Sequence, residues 1–425
     1  MEIYIVQHGD SVESIADRYG ISVERLISDN GISNPKILVV GQALVILIPK
    51  ETYIVKPGDS LEAIASANGI SIMQLLRNNL FLYNREYIYE NESLVISFNT
   101  KGKIQTHAFT DAPLSQDTLY RALPYLTYIS VYNYRVSYET SSILNMYDDT
   151  NIIELAKRYS TIPLLMISAL SLTGSINLEH LYALLLNNQL QDKLIDEAFE
   201  ILRLSEYKGV NLAISYITDY NQGLYFSIIE KISKILRNTG YIFMVTISPN
   251  FSAEVNIDYS KISLYVDRII FVENIWPKQA QEPAPVSNVS LIRPFIENVT
   301  RTISPSMISI GKPLIGYDWS IPFTPGSLAH ILSLSSIISL AYEENAEIQL
   351  DEESQTPYFT YTRPSDRFNL HNIVWFIDAR SIKALNDLIL EYSLIGTGLW
   401  NLRNYYQKLF SIITATFDIT KLPLK

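Results

Sequence analysis

Beyond about Gly102 the chain repeats one pattern: a short, continuous apolar run, then a stretch with helical spacing. The runs are "LTYISVYNY", "IPLLMIS", "GVNLAIS", "IFMVTIS", "DRIIFVE", "PLIGYDW" and "GTGLW". After Tyr220, for example, Leu224, Ile228, Ile232 and Ile235 recur on one helical face. A run without alternation is a strand covered on both sides, and strands separated by helices pair in parallel. About eight such units over roughly 320 residues fit a (β/α)8 barrel better than an open sheet. The expected fold class is therefore α/β. A longer, strand-rich stretch from about Ser320 to Phe376 reads as a small α+β insertion on the barrel's top face, before the eighth strand.

The first 98 residues follow a different rule. "YIVQHGDSVESIADRYGIS" starts at Tyr4 and "YIVKPGDSLEAIASANGIS" at Tyr53, a shift of 49 residues. In each copy a β-branched run (Ile5-Val6, Ile54-Val55) makes a strand. Gly-Asp-Ser (Gly9, Asp10, Ser11; Gly58, Asp59, Ser60) makes a turn whose Asp and Ser can cap the next helix. That helix carries Ile15 or Ile64. A second carries Leu26 or Leu75 and ends near Asn30 or Asn79, and "ALVILIP" or "SLVISF" closes the unit. The expected organisation is two small βααβ modules at 1–50 and 51–98, then a barrel at 99–425.

Composition narrows the function classes. The chain is 48% hydrophobic and 18% charged, with a net charge of -11 and no Lys/Arg block. That disfavours nucleic acid or an anionic membrane surface as the main partner. With no cysteine there is no disulfide and no thiolate metal site. His8, His107, His180, His330 and His371 lack ligand spacing, so neither a metal nor another cofactor is expected. "MEIYIVQHGD" lacks the basic start and apolar run of a secretory signal. "HILSLSSIISLAYEE" is too short and polar to span a bilayer.

The repeat resembles the lysin motif (LysM), a module that binds N-acetylglucosamine-containing glycans such as peptidoglycan and chitin. The resemblance places glycan contacts at Gly9, Asp10, Ser11 and Asn30 in the first copy. In the second they fall at Gly58, Asp59, Ser60 and Asn79. The first copy keeps "VGQALVI" before its last strand; the second has "YENESLVI" and departs there.

Trp276, Trp319 and Trp400 fall at expected strand C-termini, where a barrel's active site lies. Aromatic faces there suit the apolar faces of sugar rings. The barrel is similar to glycoside hydrolase family 18, in particular to lysin-motif-bearing N-acetylglucosaminidases of the spore cortex. The residues that carry this are "EYKGVN" before strand 4, "GYDWSIPF" after strand 7, "VWFIDARS" after the insertion, and Trp400. The resemblance implies a sugar-binding set of Trp400, Trp276, Tyr317, Asp318, Trp319 and Asn211. It also implies a DxxDxDxE run on strand 4, whose Glu protonates the leaving oxygen and whose preceding Asp orients the substrate's own acetamide nucleophile.

Laid on "KGVNLAISYI", those four positions are Lys208, Asn211, Ala213 and Ser215. Alanine stabilises no charge, and serine donates no proton near neutral pH. Asp219 and Glu273 are the carboxylates left as surrogates. The expectation is an inactive glycosidase homologue that holds peptidoglycan or a related glycan. The alternatives are an active N-acetylglucosaminidase with displaced acids, or a spore-coat scaffold that binds coat proteins. Location follows from the resemblance: made in the mother cell of a spore-former, then laid on the spore coat or cortex.

Overall fold

The computed structural model describes residues 1–83, 85, 87–137, 142–168, 178–214, 216–237, 239–249, 256–272, 282–364 and 369–423. Eight parallel strands make the barrel: β1 Gly102–Asp111, β2 Tyr128–Tyr132, β3 Ile162–Ser168, β4 Gly209–Ile214, β5 Ile242–Ile247, β6 Arg268–Val272, β7 Ile308–Pro313 and β8 Gly396–Trp400. Each pairs in parallel with the next, and β8 pairs with β1 from Gly396↔Gln105 to Leu399↔Ala108, which closes the sheet. A short strand at Phe417–Ile419 extends the start of β1.

Closure is tight because the seam carries little side chain. A Cβ on Gly396 would lie 2.5 Å from the Gln105 carbonyl oxygen, and one on Gly311 2.2 Å from Val272 Cγ2. One on Gly398 would press on Ile270, Phe109 and the Gly311 backbone. Outward residues such as Ile129, Val131, Leu165, Val210, Val245 and Ile310 meet the surrounding helices in one continuous core. Inward residues form a second, smaller cluster.

Two strands differ from the sequence reading. The first, "GKIQTHAFTD", is interrupted by Thr106, His107 and Thr110, and hydropathy alone does not pick it out. The seventh is "ISIGKP", not "PLIGYDW". Gly316–Ile321 instead opens a five-stranded antiparallel sheet with His330–Leu332, Gln349–Asp351, Thr356–Pro364 and Asn369–Phe376. The insertion sheet thus begins at Gly316, with helix Leu334–Glu343 against it. Among the described residues no helix is long and apolar enough to cross a membrane.

Each N-terminal module pairs its outer strands antiparallel: Glu2–Ile5 with Ala43–Ile46, and Glu51–Ile54 with Ser93–Ser97. Two helices pack over each pair, at Val12–Tyr19 and Val23–Asn30, then at Leu61–Ala67 and Ile72–Asn78. Each module has its own core, around Ile15, Leu26 and Leu44 or Ile64, Leu75 and Leu94.

One buried charge works against this packing. Lys312, on the outward face of β7, is fully buried, and its ammonium donates to Thr397 Oγ1 at 2.5 Å. Burial pulls its pKa down to about 7. The unfolded chain holds this proton up to about pH 10.5, so the penalty is full at and below pH 7 and fades between pH 7 and 10. Lys312→Met is expected to raise stability by about 2 kcal/mol at pH 7. The gain should narrow toward pH 10, as read by urea denaturation at both values.

Candidate functional site

Along each barrel strand alternate residues point inward. On β4 these are Asn211 and Ala213. Asn211 is fully buried and is the hub of a polar chain across the barrel. Thr246 Oγ1 of β5 donates to Asn211 Oδ1 at 2.9 Å, and Asn211 Nδ2 donates to Ser130 Oγ of β2 at 3.0 Å. That leaves the Ser130 hydroxyl hydrogen for His107 Nε2 of β1, 2.8 Å away. Nε2 is therefore an acceptor and the imidazole proton sits on Nδ1, which has no partner among the described residues. Burial, with the Arg268 charge nearby, pushes the His107 pKa down to about 3, so the ring is neutral.

Around this chain the inward side chains form an apolar cluster. Ala213 packs with Phe109, Met166, Met244, Ile270 and Val272, with Tyr132 and Trp400 against the same cluster. Trp400 ends β8 and lies tilted on Phe109, ring centres 4.9 Å apart. The carboxylate that β1 brings to this end is Asp111, which shares the inward parity of Phe109. It pairs with Arg403 Nε at 2.6 Å, from the turn just past Trp400. Its other oxygen is buried without a hydrogen-bond partner among the described residues. Asp111 is missed by the sequence reading because the strand that carries it is missed. The arrangement is an apolar floor with one ion pair at its edge, suited to the carbon face of a sugar ring.

The remaining strand-4 positions fall elsewhere. Lys208 precedes the strand at the barrel's N-terminal end, where its N–H donates to the Pro163 carbonyl. Asp219 is exposed in the turn after β4, and its Oδ1 accepts the Tyr220 N–H at 3.1 Å. Ser215, Glu273 and Trp276 lie outside the described residues.

Tyr317, Asp318 and Trp319 need correction as sugar contacts. They belong to the first insertion strand, not to the end of a barrel strand. Tyr317 and Trp319 are 1% and 3% exposed, so their faces are already covered. Asp318 accepts from the Tyr361 hydroxyl at 2.7 Å and from Asn372 Nδ2 at 2.8 Å. These side chains hold the insertion sheet together.

In the modules, Gly9 and Gly58 take φ of +84° and +82° in open surroundings, as a turn glycine does. Ser11 and Ser60 cap the next helices through the Ser14 and Ala63 N–H groups. Asp10 and Asp59 are not the caps. Asp10 accepts from the Tyr4 hydroxyl and the Gln7 N–H, and Asp59 from the Tyr53 hydroxyl and the Lys56 N–H, which ties turn to strand.

Asn30 and Asn79 are buried. Asn30 donates to the Leu26 and Val45 carbonyls and accepts the Val45 N–H, and Asn79 does the same with Leu75 and Val95. Their amides lock the second helix to the last strand and have nothing left for a ligand.

The LysM domain pattern matches residues 4–47 and 53–97, and the pattern for glycosyl hydrolases family 18 matches 106–404. A cortical fragment-lytic enzyme of Bacillus subtilis is 30% identical over 435 residues, covering 99% of each chain. The crystal structure of the Bacillus cereus spore cortex-lytic enzyme SleL superposes with a TM-score of 0.78 at 25% identity, over 99% of each chain. That of the Bacillus megaterium SleL gives 0.78 at 26% identity, over the same share.

Removing the hub of the polar chain should leave two buried groups, Thr246 and Ser130, short of partners. Asn211→Leu is expected to cost about 2–4 kcal/mol in urea denaturation. His107 adds a pH effect of known sign. The unfolded chain binds a proton below about pH 6.5 and the folded chain does not until about pH 3, so stability falls through that window. His107→Gln should flatten the fall by up to about 1.4 kcal/mol per pH unit.

Proposed function

The chain belongs to the glycosyl hydrolases family 18, and on that footing we propose that it holds an N-acetylglucosamine-containing glycan without cleaving it. One observation carries this reading. Strand 4 presents a methyl group, Ala213, inside an apolar cluster, at the position where the resemblance places the acid that orients the acetamide. A general acid contributes about 10²–10⁴ in rate, and an electrostatic stabiliser about 10²–10³ more. A chain with neither retains little turnover. Binding does not depend on those acids, because the partly exposed Trp400 offers its face regardless.

Peptidoglycan is the natural glycan for this reading, since the two LysM modules and the cortex-lytic relatives point the same way. Association with the spore follows from the same relatives. A role as a spore-coat scaffold would need protein partners for which these features give no handle.

The test pairs hydrolysis with binding. The full chain should release no chromophore above background from a chromogenic N-acetylglucosaminide, and no fragments from spore cortex, between pH 4 and 8. It should co-sediment with insoluble peptidoglycan. Trp400→Ala should weaken capture of soluble chitooligosaccharides by about tenfold or more, in line with a stacking contact of 1–3 kcal/mol. Turnover abolished by Asp219→Asn or Glu273→Gln would reverse the assignment in favour of displaced acids.

A further inference from the structure

The first LysM module is not a free anchor. At the junction between its loop and last strand, three backbone carbonyls in close succession accept hydrogen bonds from the barrel body. Val40 O takes the Ile348 N–H of the insertion at 2.9 Å. Gly41 O takes Arg380 Nη2 at 3.2 Å, and Ala43 O takes Lys408 Nζ at 2.8 Å. Ser411 Oγ adds a bond to Asp29 O at 2.7 Å. Lys408 is 4% exposed, and burial draws its pKa down to about 8. Arg380 is clasped by Asp378 at 2.7 Å on its other side. Cations this well covered are costly to desolvate unless their acceptors are in place, which marks a permanent contact.

Topology says where this contact lies. A helix that follows a barrel strand starts at the C-terminal face, so its first turn marks the mouth. Arg380 is in the first turn of helix Ala379–Glu391, which follows the insertion, and Lys408 is in the first turn of helix Gln407–Thr416, which follows β8. The first module therefore sits on the mouth side of the barrel.

The second module docks beside the first, whose helix Val23–Asn30 contacts its Leu80–Leu82 turn. The Tyr125 hydroxyl donates to Arg77 O at 3.0 Å, and Arg121 Nη2 donates to the Tyr83 hydroxyl at 2.7 Å. Tyr125 lies just before β2 begins, and its ring packs 4.8 Å from that of Phe410 on helix Gln407–Thr416.

The repeat itself records the difference. Gly41 donates its N–H to Val6 O, and Asn91 of the second copy donates its own to Val55 O, so the two hold matching places. Both have positive φ, +84° and +67°. At Gly41 a Cβ would lie 1.9 Å from the Ile348 carbonyl oxygen, so only glycine can dock there, whereas the second copy carries asparagine.

We propose that the first LysM module and the barrel mouth form one composite surface of fixed register, which takes a single extended strand of N-acetylglucosamine-type sugars. This rests on the glycan-holding function proposed above. With a flexible linker, two sites add avidity whatever the ligand's stiffness. With a fixed one, a sugar strand gains only once it is long enough to reach both sites. Affinity should therefore rise in a step with strand length rather than smoothly.

The experiment is calorimetric titration of the full chain with β-1,4-linked N-acetylglucosamine oligomers of two to ten units. Wild type should show a step of about tenfold or more between adjacent lengths. The double variant Arg380→Ala/Lys408→Met removes the clasps from the barrel side and leaves the module's own residues untouched. It should keep the short-oligomer affinity within about twofold and lose the step. Gly41→Val should do the same, with faster hydrogen exchange at the Ile348 amide as proof of undocking. Arg121→Gln, at the second module's contact, should leave the step in place. A step that survives in the undocked variants, or short-oligomer binding with no step in wild type, overturns the composite surface alone. No binding at any length overturns the glycan-holding function itself.

Discussion

The parallel ladder between β8 and β1 is the contact on which the rest depends. Without it the sheet has two edges and no inside. With it, "GTGLW" brings its glycines against β1 and β7 and its tryptophan over Phe109. A strand with fuller side chains could not approach the Gln105 backbone so closely. The site's floor and the closure of the fold are thus one piece of sequence.

Inside that closed wall, two kinds of packing meet. One is polar and joined across four strands by Asn211; the other is an apolar cluster that includes Ala213. They hold for different reasons. The polar chain is worth keeping because each member would be costly if left unpaired in the interior. The apolar cluster needs no such pairing, and a methyl group among Met166, Met244 and Val272 carries no desolvation penalty. Two clustered carboxylates would carry one.

Much of this was legible in the sequence. Strands β3 to β6 and β8 read as mostly apolar runs because both their faces are covered, and pattern alone finds them. The modules were legible from repetition. Three features were not. β1 carries His107 and Thr106 toward partners that only the closed barrel supplies, so it lacks an apolar signature. β7 carries Gly311 and Lys312, and the more apolar "LIGYDW" beside it drew the assignment one strand too far. Asn30 and Asn79 look like exposed polar residues at helix ends, and only the fold shows their amides turned inward. In each case a polar side chain's role depends on a neighbour distant along the chain.

The first module meets the barrel through main-chain oxygens. Every amino acid supplies the same carbonyl, so the polar part of this joint hardly notices side chains, while Val39, Ala43, Val45 and Leu47 add an apolar part shared with the barrel's core. The loop that faces solvent is then free to drift under selection for one glycan or another while its seat stays constant. The tightest point is Gly41, where the added bulk of a single methyl group would unseat it. An interface of this kind concentrates its sequence dependence on the docked face, at Gly31, Gly41 and the apolar residues beside them, and leaves the module's exposed surface open to change.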